Sequence, residues 1–242
     1  MVDTGAYVAA GVTILAIAFS LLSYYLNKRR SNSIAKIAQD MGFGYEENAA
    51  ADMGFLNIIG KLTGNSENYN PIEEFLPDSE LFKWGSSRSV GNLIYGKIYG
   101  REVKAFDYCY TTSSGRNSYQ HCLTVIVSRL HGNAPSFVLG PEGISEKFED
   151  FIMKKDIDFE NHPEFSKKYY LKGEDKDAVK KVFGPELIRQ IESMPKKIAL
   201  QSDGKLVAFL MPGKKAKPEE WRDLIEEASK IFDLVDPPKK DF

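Results

Sequence analysis

The reading turns on residues 103–127, Val-Lys-Ala-Phe-Asp-Tyr-Cys-Tyr-Thr-Thr-Ser-Ser-Gly-Arg-Asn-Ser-Tyr-Gln-His-Cys-Leu-Thr-Val-Ile-Val. Two alternating runs flank a Ser/Gly/Asn-rich centre, the pattern of an antiparallel hairpin. Placing the turn between Gly115 and Arg116, a Gly-X pair suited to a type II′ turn, fixes a register. Tyr110/His121, Tyr108/Leu123 and Phe106/Val125 then share one face. Cys109/Cys122, Asp107/Thr124 and Ala105/Ile126 share the other, which is the less apolar of the two. Alternation of this kind specifies register strongly, because a one-residue slip would exchange the faces.

Working outward, Leu93–Tyr99 reads as a strand turning at Gly100-Arg101 into the hairpin. Phe43–Glu46 and Ser136–Leu139 read as further strands. Pro141-Glu142-Gly143 breaks the pattern, and Ser145–Lys154 is helical in spacing. Phe165–Leu171 is strand-like. Asp175 caps a helix carrying Val179, Val182 and Phe183, and Pro185 suits the first position of the next. Lys197–Ser202 and Lys205–Met211 form a hairpin on Asp203-Gly204. Pro218–Phe232 has Trp221, Leu224, Ile225, Ala228 and Ile231 at helical spacing. The fold class is α+β: mainly antiparallel sheet with helices on one face. The β-α-β-β-α order of the second half raises two related sheet-helix units as an expectation. Asn48–Pro77 reads as a loop with one short helix near 52–62.

The N-terminus is of another kind. Ala6–Leu26 holds no charged residue. As a helix it spans about 31 Å, the thickness of a bilayer's hydrocarbon core. A cleaved signal needs a basic start and a shorter apolar run; here Asp3 precedes the run and Tyr24 and Tyr25 end it, as in an interfacial belt. A permanent anchor follows. Lys28, Arg29 and Arg30 form its basic flank, which puts the N-terminus outside and the rest in the cytoplasm. Ser31-Asn32-Ser33 can cap a separate short helix with Ile34, Ile37, Ala38 and Met41 on one face, ended by Gly42. The organisation is then anchor 1–30, juxtamembrane helix and linker 31–80, soluble domain 81–235 and polar tail 236–242.

The chain has 242 residues, 34 acids against 32 Lys and Arg, and a net charge of -2. With a pI near 6.0 this argues against a nucleic-acid partner. The mean hydropathy of -0.33 averages an apolar anchor with a polar domain. Gly91–Ile98 nearly spells a phosphate loop, but Ile98 stands where a hydroxyl must meet the metal and the spacer residues are strand formers. The three His have no metal-ligand spacing. No cofactor site is legible. Two Cys exclude a disulfide scaffold. Cys109 and Cys122 face each other across the hairpin and are expected to be thiols in a cytoplasmic domain. Asp107, set among aromatic residues, reads as a partnered structural carboxylate rather than a general base.

Three blocks carry a resemblance. They are Phe82–Arg88 with Asn92, Gly96 and Phe106–Gly115; Ser136–Glu142; and Asp156–Tyr169. Together they resemble a widespread, uncharacterised family of bacterial single-pass membrane proteins, over roughly residues 1–235. The resemblance implies an anchored cytoplasmic α+β domain at a bacterial inner membrane and carries no catalytic residue across. It departs from the family at Cys109 and Cys122, and in a longer Asn48–Pro71 stretch.

The expected function is a membrane-anchored binding or scaffolding module meeting the bilayer and a protein partner. Candidate binding residues are Asp107, Tyr108, Tyr110, Ser114, Arg116, Tyr119 and His121, since Ser, Gly and aromatic residues at a loop on a rigid sheet make contact sites. Two alternatives stand beside it: a membrane-bound enzyme using the 103–127 hairpin, and an oligomeric envelope structural protein. The oligomeric state is open.

Overall fold

A computed structural model describes residues 4–51, 85–132, 134–142, 156–159 and 161–237. The loop and helix expected in 48–77 lie largely outside these residues, and the helix expected at 145–154 lies wholly outside them.

Helix α1 runs unbroken from Thr4 to Asp40. Its outer part, with Val12, Leu15 and Phe19 well exposed, is long and apolar enough to cross a membrane by length and composition. Its inner end is core, because Ile34 and Ala38 are fully buried against the sheet. The expected break at 30–33 is therefore absent. No Gly or Pro interrupts residues 12–41, and Ser33 turns its hydroxyl back to the Arg29 carbonyl at 3.0 Å instead of capping a new helix. Ser20 does the same to Ala16 at 2.9 Å. Gly42, at φ +70°, ends the helix in the left-handed region that favours glycine.

After this turn come β1 (Gly44–Ala51), β2 (Ser86–Ile98), β3 (Arg101–Ser114), β4 (Asn117–Arg129) and β5 (Ser136–Pro141). Then follow α2 (Pro163–Lys168), β6 (Tyr169–Gly173), α3 (Lys176–Val182) and α4 (Pro185–Glu192). The chain closes with β7 (Ala199–Asp203), β8 (Leu206–Leu210), a 3-10 turn (Pro218–Glu220) and α5 (Trp221–Val235). All eight strands make one sheet in the order β1-β2-β3-β4-β8-β7-β5-β6, and every neighbouring pair is antiparallel. Read outward from the central β4/β8 pair, one side runs β3, β2, β1 and the other β7, β5, β6, so the two halves do not repeat one topology.

The β3/β4 register matches the one derived from alternation, Cys109 opposite Cys122 and Asp107 opposite Thr124. The apolar sorting is different from expectation. The face with Ala105 and Ile126 is the one the helices cover, and it holds the main core with Phe209, Trp221, Ile225 and Phe232. The face with Phe106, Tyr108, Leu123 and Val125 holds a second buried cluster made of strand residues. Both faces of the central strands are thus buried, and Asp107 lies on the helix side.

The expected strand at 165–171 begins four residues late. Pro163 starts α2, and Phe165 is buried one helical turn before Tyr169, its ring centroid 5.4 Å away. That i, i+4 aromatic spacing is helical rather than alternating. Asp175 caps α3 by accepting from Ala178 N–H, and Pro185 opens α4.

Candidate functional site: the anchor clasp and the hairpin arm

Asp107 is only 2% exposed and sits in mid-strand. A buried carboxylate needs partners for its lone pairs. Arg30, the last basic residue of the anchor's flank, supplies most of them. Its Nε donates to Oδ2 at 3.2 Å, and its Nη2 donates to Oδ1 at 3.1 Å and to Oδ2 at 3.0 Å. Asn92 Nδ2 donates to Oδ2 at 3.0 Å and Thr124 Oγ1 to Oδ1 at 2.9 Å. Lys215 Nζ stands 4.0 Å from Oδ2.

Each partner is aimed by local structure. Arg30, Ile34 and Ala38 follow at i, i+4 and i+8 on one stripe of α1. The β2/β3 register shifts between Gly91 and Ile94, and Asn92 there takes φ +53°. Asn tolerates that conformation, and the bulge turns its side chain toward Asp107. Tyr45 of β1 donates to Asn92 Oδ1 at 2.9 Å. Burial pushes the Tyr45 phenol up, partly offset by a hydrogen bond from Ser31. The Ala216 N–H donates to Thr124 Oγ1 at 2.9 Å, closing the site from the loop before α5.

With both oxygens occupied, Asp107 has no open side for a substrate proton. The expectation of a partnered structural carboxylate fits this geometry; its place among contact residues does not. Tyr108 is fully buried on the opposite face and is likewise removed from any contact surface. Asp107 and His121 lie on opposite faces of the ribbon, so the hairpin does not bring those two together.

His121 and Tyr110 stack at 5.0 Å between centroids, and His121 Nε2 is 2.8 Å from Thr112 Oγ1. Burial pushes the Tyr110 phenol up. Ser114, Arg116 and Tyr119 are exposed, Tyr119 at 52%. They sit on a two-stranded arm. The last β3 residue with a described β2 partner is Thr111, opposite Ser86, and β8 pairs with β4 from Val125 inward. Beyond these points, among the described residues, β3 and β4 pair with each other alone, through Thr112/Tyr119, Ser113/Ser118 and Ser114/Asn117.

Cys109 and Cys122 are joined by a disulfide, with Cα atoms 4.1 Å apart. This corrects the expected pair of thiols. Opposed strand positions bring the two sulfurs together whenever the register forms. Lys28 pairs with Glu47 at 2.6 Å and Arg29 is exposed, so one of the three flank residues is built into the fold and one into an exposed ion pair. Among the described residues no three His, Cys, Asp or Glu side chains are grouped to hold a metal ion. A groove of about 490 Å³ lies at the far end of β2 and β3, lined by Tyr95, Lys97, Glu102, Lys104 and Arg129, and includes none of the candidate residues.

No protein-family profile matches the chain, and no curated protein matches it. Its fold is similar to a solved mycobacterial protein, the trehalose monomycolate transport factor A, TtfA, at a TM-score of 0.52 and 14% identity, over 88% of this chain and 98% of that one.

Proposed function

We propose that the chain is a membrane-anchored binding module, in which α1 crosses a bacterial inner membrane and holds a cytoplasmic domain at a set height and angle to meet a protein partner. The observation that supports this most is the clasp: the bilayer-length helix continues into the core without a break and Arg30 locks onto Asp107. A domain that only needed to stay near the membrane could hang on a flexible linker. A domain fixed in orientation presents one surface to a partner, and the exposed arm residues Ser114, Arg116 and Tyr119 help to set that orientation. The resemblance to uncharacterised bacterial single-pass proteins belongs to the same proposal, as does the likeness in fold to a mycobacterial transport factor.

The orientation rests on Lys28, Arg29 and Arg30, which act during insertion, before Asp107 exists as a folded site. The Cys109–Cys122 bond is compatible with it in opened form, because the neighbouring β3/β4 pairs hold the register without it. Membrane cross-linking followed by affinity capture tests the proposal. Replacing Ser114–Asn117 by a Gly-rich turn removes the arm's contact and is expected to lose the cross-linked partner; full retention would show that the partner does not depend on the arm. Thiol labelling in intact cells checks the orientation: labelling of reduced Cys109 or Cys122 by an impermeant reagent would reverse it.

A further inference from the structure

The direction of the arm follows from the register. α1 and β1 leave the Met41–Phe43 turn side by side in opposite senses, since Lys28 reaches Glu47 and Arg30 reaches Asp107. β1 therefore runs toward the anchor. β2 is antiparallel to β1 and β3 to β2, so β3 also runs toward the anchor. Asp107 is level with Arg30, and seven residues separate it from Ser114. At strand rise the arm extends about 23 Å past that level. Leu26, where the uncharged run ends, lies only about 6 Å past it along the helix. Inclined to α1 by as much as about 60°, the arm would still advance roughly 11 Å toward the anchor's side, beyond the level of Leu26.

The composition of the arm suits that place. No Asp or Glu occurs from Tyr108 through Pro141. The exposed tip carries one cation, Arg116, the half-exposed ring of Tyr119, and otherwise Ser, Gly, Asn and Gln. Arg is suited to phosphate by its forked donors, and Tyr to the headgroup layer by its apolar ring and polar end. Acids, which an anionic surface repels, are absent from the arm.

We infer that the tip of the β3–β4 arm, Ser113–Gln120, rests on the headgroups of the same bilayer that α1 crosses, with Arg116 on anionic lipid phosphate and Tyr119 in the headgroup layer. This rests on the anchor reading above and names lipid as what the tip meets, giving the domain a second foothold on the membrane.

The test uses the full chain reconstituted into vesicles of phosphatidylglycerol or of phosphatidylcholine carrying brominated lipid. A Phe19→Trp variant reports the anchor, and a Tyr119→Trp variant the tip, each read as quenching beyond wild type. Phe19→Trp is expected to be quenched by lipid brominated deep in the acyl chain. Tyr119→Trp is expected to be quenched by lipid brominated near the headgroup, more strongly in phosphatidylglycerol. Adding Arg116→Glu to Tyr119→Trp is expected to weaken tip contact with phosphatidylglycerol by about fivefold per unit charge changed. Quenching of Phe19→Trp without quenching of Tyr119→Trp overturns this inference and leaves the anchor standing. An unquenched Phe19→Trp overturns the anchor reading and this inference with it. Tip quenching that is the same in both lipids and indifferent to Arg116→Glu overturns the phosphate contact.

Discussion

Strand β3 is clasped to a helix at two points, its start and its middle, and the two clasps differ in which charge is buried. Toward the anchor the buried member is an acid: Asp107 is 2% exposed and its helix partner, Arg30, is 17% exposed. At the far end the buried member is a cation: Arg101 is 1% exposed and donates to Asp233 of α5 at 2.9 Å, with Asp233 31% exposed. Arg101 also donates to the Arg129 and Asp236 carbonyls, at 3.1 and 2.6 Å. In both clasps the sheet holds the charge that cannot reach water, and the helix holds the one that can. Loss of a helix residue therefore strands a charge in the sheet. Loss of a sheet residue leaves the helix partner a route to solvent.

The largest effect is expected at the anchor clasp. Arg30→Met leaves Asp107 buried with two neutral donors and a lysine 4.0 Å away. Breaking a buried pair in this way costs about 3–5 kcal/mol. Unfolding of the detergent-solubilised full chain checks it. In the double variant Arg30→Met/Asp107→Asn the stranded charge is gone, and most of the loss is expected to return. A double variant as unstable as Arg30→Met alone would show that the arginine acts by packing rather than charge.

At the far clasp the corresponding change is Asp233→Ala. Arg101 keeps its two carbonyl acceptors, so the loss is that of one charged hydrogen bond, about 1.5–3 kcal/mol. Equal losses for Arg30→Met and Asp233→Ala would break the comparison, because the backbone carbonyls would then count for nothing.

Alkaline pH separates the clasps again. Burial raises the phenol of Tyr45 at the anchor clasp, and those of Tyr110 and Tyr169 elsewhere. In the unfolded chain tyrosine ionises near pH ~10. Below that value both states bind the proton and stability is flat. Above it the unfolded chain gains by ionising while the folded chain does not, so stability falls until the folded values are passed. Tyr45→Phe is expected to remove its share of that slope; an unchanged slope would assign the loss to the other two.

The ribbon register and the class of fold were legible because alternation at period two leaves little freedom: Cys109/Cys122 and Asp107/Thr124 follow from one turn assignment. The break placed at Ser31 was misread because serine before an apolar stripe serves equally as a cap or as an interior residue bonded to i−4, and only the packing of Ile34 and Ala38 decides. The Phe165 segment was misread for a related reason, since three aromatics in six residues, Phe165, Tyr169 and Tyr170, fit either period. Asp107 was recognisable as partnered, but its partner was not. Arg30 lies 77 residues away and already had an explanation as a membrane flank. The signal was its place in the i, i+4, i+8 stripe with Ile34 and Ala38, which points it at the sheet rather than at lipid.

That double role yields the smallest stability effect and the finest test of the comparison. Lys28 and Arg29 share the flank with Arg30 but not its burial: Lys28 meets Glu47 at the surface, where the pair raises the lysine's pKa through a hydrogen bond and water screens the charge. Replacing both by Asn is expected to leave the unfolding midpoint unchanged within measurement scatter. On the proposed topology it also removes two of the three basic flank charges, so a fraction of molecules inserted the other way round is expected in a protease-protection assay. Arg30→Met is expected to show the converse, a large loss of stability with orientation kept by Lys28 and Arg29. If instead the Lys28/Arg29 pair proved as costly to stability as Arg30, the anchor would be held by a diffuse field of charge rather than by one buried clasp, and the height and angle of the domain would no longer follow from the Asp107 site.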